Sequence, residues 1–143
     1  MNNRTYSIWF YAAAMYNLLW GTLNIFFPKA IFVFLAIKPP ETPYWQVVGM
    51  FVLIYAPAYF WAARYPNRHC HLIFIGALGK TLGSIGFLWA YITGTLPLAF
   101  GIVNIFNDLI WLPIFFIYLN EKSRSIGIKQ FLLGKNEPRG QKR

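Results

Sequence analysis

Two ionisable residues of opposite sign, Lys80 and Asp108, stand inside long apolar stretches of this chain. A charge in hydrocarbon is costly, so such residues turn toward the interior of a helix bundle and find a partner there. Asn104, Asn107 and Asp108 fall at i, i+3 and i+4, one face of a helix. Asn17, Trp20, Gly21 and Asn24 repeat that spacing nearer the N-terminus. A carboxamide has donors and acceptors to satisfy, and lipid satisfies none of them. Lys80, Asp108, Asn107, Asn104, Asn17 and Asn24 therefore form a candidate ligand or ion-pair cluster. Its chemistry could be a proton relay, an anion site at Lys80 or a counter-ion for a ligand. The alternative is a matched pair that only locks two helices together.

Glycines at Gly76, Gly79, Gly83 and Gly86 lie on one side of the same helix as Lys80. Such a strip suits close helix packing, and it also suits a cavity beside the lysine. The two readings are compatible.

The elements that must position these residues are membrane spans. The chain has 143 residues, 57% hydrophobic, 20% aromatic and only 12% charged, with mean hydropathy +0.44. Soluble domains carry roughly twice that share of charge. Apolar runs at about residues 6–27, 44–63, 72–93 and 100–119 are each long enough to cross roughly 30 Å of hydrocarbon. The expected fold is all-α: an integral membrane four-helix bundle over residues 1–120, followed by a basic cytoplasmic tail, residues 121–143. Pro57 marks a kink in the second span. Between the first two spans, residues 30–37 are apolar but too short to cross, so they are expected to form a short helix in the interface or under the bundle. Residues 123–133 suit either a surface helix or an extension of the fourth span. Arg4 before an apolar run with Ala12, Ala13 and Ala14 has features of a secretory signal. The run continues well past the alanines, so a retained span is expected.

At about 1.5 Å per residue, Lys80 starts roughly 12 Å and Asp108 roughly 18 Å above the inner edge, within the reach of a lysine side chain. The same count puts Asn17 level with Asp108, and Asn24 with Asn104 in a second, outer layer. Ten Lys and Arg lie on the side of the termini and only Lys29 and Lys38 on the other, so both termini are expected in the cytoplasm. The net charge of +9 is concentrated in the tail, with seven of the 13 Lys and Arg after Asn120. That arrangement points to anionic lipid headgroups rather than nucleic acid.

Other motifs fail on chemistry. Gly79–Lys80–Thr81 resembles the end of a phosphate-binding loop, but Phe74 stands where its first glycine is needed and no strand precedes it. His69, Cys70 and His71 are consecutive and have no further histidine to complete a metal site. The spans hold no histidine for a haem, and the acids Glu41, Asp108, Glu121 and Glu137 are too scattered for a catalytic pair. No cofactor or metal is expected.

The stretch Ala62–Ala63–Arg64–Tyr65–Pro66–Asn67–Arg68–His69, with Gly79–Lys80, Gly86–Phe87 and Asn107–Asp108–Leu109–Ile110–Trp111, resembles a group of small bacterial four-span proteins without an established activity. The general plan is also similar to DoxX-like proteins, in architecture alone. The resemblance implies the fold and a bacterial inner membrane, not a function. Three functions remain open. The first is binding or conducting a small polar solute, ion or lipid headgroup, with oligomerisation expected. The second is an accessory subunit docked on a larger membrane protein. The third, least favoured, is a lipid-modifying enzyme that has only Lys80 and Asp108 for its chemistry.

Overall fold

A computed structural model describes residues 2–126. Every regular element among them is helical: α1 (Asn3–Phe26), α2 (Ala30–Phe34), α3 (Thr42–Arg64), α4 (Cys70–Ile92) and α5 (Leu98–Ile126). The long helices coincide with the expected spans to within three residues, except that α5 runs on to Ile126. It thereby takes up the first part of the segment that suited either a surface helix or an extension. The rest of that segment and most of the expected basic tail, residues 127–143, lie outside the described residues.

Three helices, α3, α4 and α5, are long and apolar enough to cross a membrane, rather than the four expected. The exception is α1. It has 24 residues, but Asn17 and Asn24, with several Tyr and Trp, lower its mean hydropathy. Both asparagines are turned inward and buried, while Ile8, Met15, Leu18, Leu19 and Phe26 face outward. The polarity of α1 is thus kept off its outward face.

Local signals explain the helix ends. The Asn2 side chain accepts from Arg4 N at 3.2 Å and caps α1. Pro28 follows its C-cap at Phe27, and Pro43 sits in the first turn of α3, where a missing N–H costs nothing. Pro57 lies within α3 without ending it.

Helices α1 and α3 meet backbone to backbone. A Cβ on Gly21 would lie 2.8 Å from Leu53 N and 2.9 Å from Gly49 O, so only glycine fits. Asn24 secures the same contact: its Nδ2 donates to Trp20 O at 2.6 Å, and its Oδ1 accepts from Trp45 Nε1 at 2.5 Å. The α4 glycines behave differently. A Cβ at Gly76 would strike the Tyr59 ring, one at Gly79 would meet the Tyr55 hydroxyl at 3.2 Å, and one at Gly83 the Asp108 carboxylate at 2.9 Å. They make room for side chains, not for a neighbouring backbone.

Two aromatic clusters close the ends. Tyr6, Phe10, Tyr59, Phe115 and Tyr118 are buried together at the end that carries the N-terminus. There Tyr118 OH donates to Pro66 O, and Lys122 Nζ donates to Asn67 Oδ1 at 2.5 Å, tying the α3–α4 loop to α5. In that loop, burial first and then His71 and Arg68 hold His69 below the usual imidazole pKa. At the opposite end α2 tucks under the bundle, with Phe32 packed on Trp45 and Phe100 at centroid distances of 4.8 and 5.9 Å.

The glycine contacts give a direct check. Gly21→Ala should lower the stability of the purified protein by about 1–3 kcal/mol through overpacking. Gly86→Ala, whose Cβ would meet nothing within 4 Å, should leave it unchanged or slightly raised. Thermal unfolding in detergent measures both.

Candidate functional site

Helix α5 is not a regular α-helix where the site lies. A 3-10 turn (Leu98–Phe100) and one α turn (Gly101–Asn104) lead into a π-helical turn, Ile105–Leu109, and α-helix resumes at Leu112. The cause is Pro113, which has no N–H for the Leu109 carbonyl and whose ring crowds it. Widening the preceding turn relieves that clash and frees backbone oxygens. Trp111 Nε1 donates to Phe106 O at 2.9 Å, and Lys80 Nζ donates to Asn107 O.

The pairing expected from opposite charges is present. Lys80 Nζ lies 3.6 Å from Asp108 Oδ1, and the two residues are 6% and 7% exposed. Asp108 accepts two further hydrogen bonds, from Asn107 Nδ2 at 2.8 Å and from Asn104 Nδ2 at 3.2 Å. Asn104 also reaches Ser84 Oγ on α4 at 3.4 Å. Gly83 is what lets α4 come this close to the carboxylate. The result is a charge-balanced knot that joins α4 to α5.

The expected layers divide differently. Asn104 joins Asp108, whereas Asn24 stands apart on Trp20 and Trp45. One helical turn separates Asn104 from Asp108, close enough for direct contact along the same helix.

Beside the knot lie two cavities of about 210 and 240 Å³. Val48, Val52, Gly83, Asn107 and Asp108 line both, so they are two parts of one cleft between α3 and α4. Lys80, Asn17, Tyr55 and Tyr59 are also in the wall of the first. Val48 and Phe51 on α3 and Gly79, Gly83 and Gly86 on α4 line the cleft and are exposed, so it opens sideways between the helices. Asn17 is 2% exposed. Its Oδ1 and that of Asn107 are buried without a hydrogen-bond partner, an arrangement that costs free energy unless something donates to them.

Sequence reasoning missed three contributors. Pro113 signals the widened turn, since a proline inside a span frees carbonyls one turn earlier. Tyr55 and Tyr59 prop α3 away from α4, and no spacing rule reveals that, because their partners are glycines on another helix. Among the described residues, no group of three or more His, Cys, Asp or Glu could hold a metal ion.

Comparison with family models, with curated proteins and with solved structures finds no match to this chain. The resemblance to small four-span proteins therefore rests on its quoted residues alone.

Removing one member of the knot should be far worse than removing both. Lys80→Met alone leaves a buried carboxylate uncompensated and is expected to cost about 3–5 kcal/mol. Combining it with Asp108→Asn should recover most of that loss, as read from denaturation midpoints of the two single variants and the double variant.

Proposed function

We propose that this protein crosses the bacterial inner membrane four times, with both termini cytoplasmic, and binds a small ligand in the α3–α4 cleft. The observation that carries the binding reading is the pair of buried, unpartnered carboxamide oxygens beside a charge-balanced knot in a lateral cleft. Mostly apolar walls with a few convergent polar groups are the usual make-up of a small-molecule site. Lys80 and Asp108 hold the wall in place, and Asn17 and Asn107 meet the ligand.

Binding is better supported than conduction. A conducting path needs a polar route from face to face. Here Phe10, Tyr59 and Phe115 fill one end of the bundle, and Phe32, Trp45 and Phe100 pack across the other. The open side faces what would be acyl chains.

Support for α1 as the fourth crossing comes from its outward Ile, Leu and Phe and its inward asparagines. Arg4, Arg64, Arg68, Lys122 and Arg124 lie toward one end and Lys29 and Lys38 toward the other, in keeping with the positive-inside rule. Anionic headgroups are the proposed contact of the basic end. The exposed Gly79, Gly83 and Gly86 also suit the second reading, a subunit docked on a larger membrane protein or on further copies of itself.

Topology is tested in a Cys70→Ala background. Lys38→Cys should react with an impermeant maleimide on intact cells, and Ser123→Cys only after the membrane is opened; the reverse pattern overturns the orientation. For binding, mass spectrometry of small molecules that co-purify with the protein should show a species retained by the native chain. Gly79→Leu, which fills the cleft mouth, should lose it. Identical profiles for the two would overturn the binding reading, and a stoichiometric protein partner at native expression would favour the docked subunit.

A further inference from the structure

We infer that the cleft takes a neutral amphiphile headed by a hydroxyl group, its head against Asn17 and Asn107 and its apolar body lying out between α3 and α4. This rests on the binding reading above and specifies the ligand class.

Charge excludes the alternatives first. Lys80 and Asp108 face each other at 3.6 Å. Lys80 also donates to Asn107 O, and Asp108 accepts from both Asn104 and Asn107. The knot is neutral as a unit, so a charged head would enter with no counter-ion, which a low-dielectric site penalises heavily. An anion at Lys80 would have to compete with Asp108, which already neutralises the ammonium at 3.6 Å.

Hydrogen-bond polarity then selects among neutral heads. The fully buried atoms of the cleft wall without a partner are acceptors, Asn17 Oδ1 and Asn107 Oδ1. The Asn107 amide cannot turn over to change this, because its Nδ2 is held by the Asp108 carboxylate at 2.8 Å. What those two oxygens lack is a donor. A carboxylate, ester or ketone adds acceptors only, and an alkane adds nothing. A hydroxyl donates its proton to one carboxamide and can accept in turn from the remaining N–H of Lys80.

Size and access set the rest of the molecule. A first cavity of about 210 Å³ is far larger than the roughly 10–15 Å³ that one water needs. Val48, Phe51 and Val52 provide an apolar wall, and the exposed edge at Gly79, Gly83 and Gly86 leaves space for a chain to extend sideways. Aromatic packing closes the cleft toward both ends of the bundle, so the ligand would enter from the bilayer, which favours a lipid alcohol over a free polyol.

The test uses the full-length protein in nanodiscs of phosphatidylethanolamine and phosphatidylglycerol, with a diazirine-bearing hexadecanol as the photoprobe. Competitors are hexadecanol, hexadecanoate, hexadecyltrimethylammonium, hexadecane and glycerol. Label is expected on α3 and α4 beside the cleft, with hexadecanol competing about ten-fold better than the others, the worth of roughly one buried hydrogen bond. Asn17→Leu should abolish that preference while leaving thermal stability equal or higher, because it removes an unpartnered polar group. Gly79→Leu and Gly86→Leu should each reduce labelling by every probe. Equal or better competition by a charged head, by glycerol or by the alkane overturns the ligand class and leaves the binding reading standing. So does an unchanged preference in Asn17→Leu. Labelling indifferent to both glycine variants overturns the two together.

Discussion

A lysine and an aspartate in hydrocarbon have no solvent to fall back on, and the attraction between Lys80 and Asp108 organises this molecule around that fact. The interaction is a network rather than a single contact: two asparagines and a backbone carbonyl share the load with the ion pair. Such a network tolerates burial because each charge has both a counter-ion and hydrogen bonds, which a bare pair would lack. Two backbone features serve it. Gly83 removes the side chain that would hold α4 away from the carboxylate, and the widened turn before Pro113 brings the Asn107 carbonyl to the ammonium. Both are local weaknesses of helix that become strengths of the assembly.

The rest of the architecture is asymmetric, and the asymmetry makes the cleft. Helices α1 and α3 touch through Gly21 and Gly49 with nothing between their backbones. Across the bundle, Tyr55 and Tyr59 stand between α3 and α4, their polar ends against Gly79 and Gly76. One pair of helices is therefore closed and the other is held apart. Aromatic packing at each end then turns the gap into a chamber with a side entrance.

Within that chamber the balance of hydrogen-bonding capacity is informative. Asn24 has its partners in Trp20 and Trp45, and the second bond joins α1 to α3. Asn17, seven residues earlier on the same face, has an oxygen with none. The same residue type thus joins two helices at one level and lines the cleft with an unpartnered oxygen at the next. The difference lies in what α3 presents opposite each: a tryptophan N–H for Asn24, and for Asn17 a cleft wall.

Much of this could be read from residue order. Long apolar runs define the helices, because a backbone in lipid must satisfy itself, and an isolated lysine and aspartate on successive runs must pair, because neither can face the acyl chains. The short helix after α1 and the shared face of Asn104, Asn107 and Asp108 follow from length and period alone. The apolar run at residues 6–27 reads as a span, yet its polar residues leave α1 short of the apolarity that α3, α4 and α5 reach. Spacing could not assign the glycines: the strip on α4 accommodates tyrosines and a carboxylate, while the close backbone contact falls at Gly21 and Gly49, unremarkable in isolation. Period and polarity belong to one chain segment and are written in its order. Which residue stands opposite which across a gap depends on how the segments pack, so the cleft and its unpartnered oxygens belong to the tertiary structure.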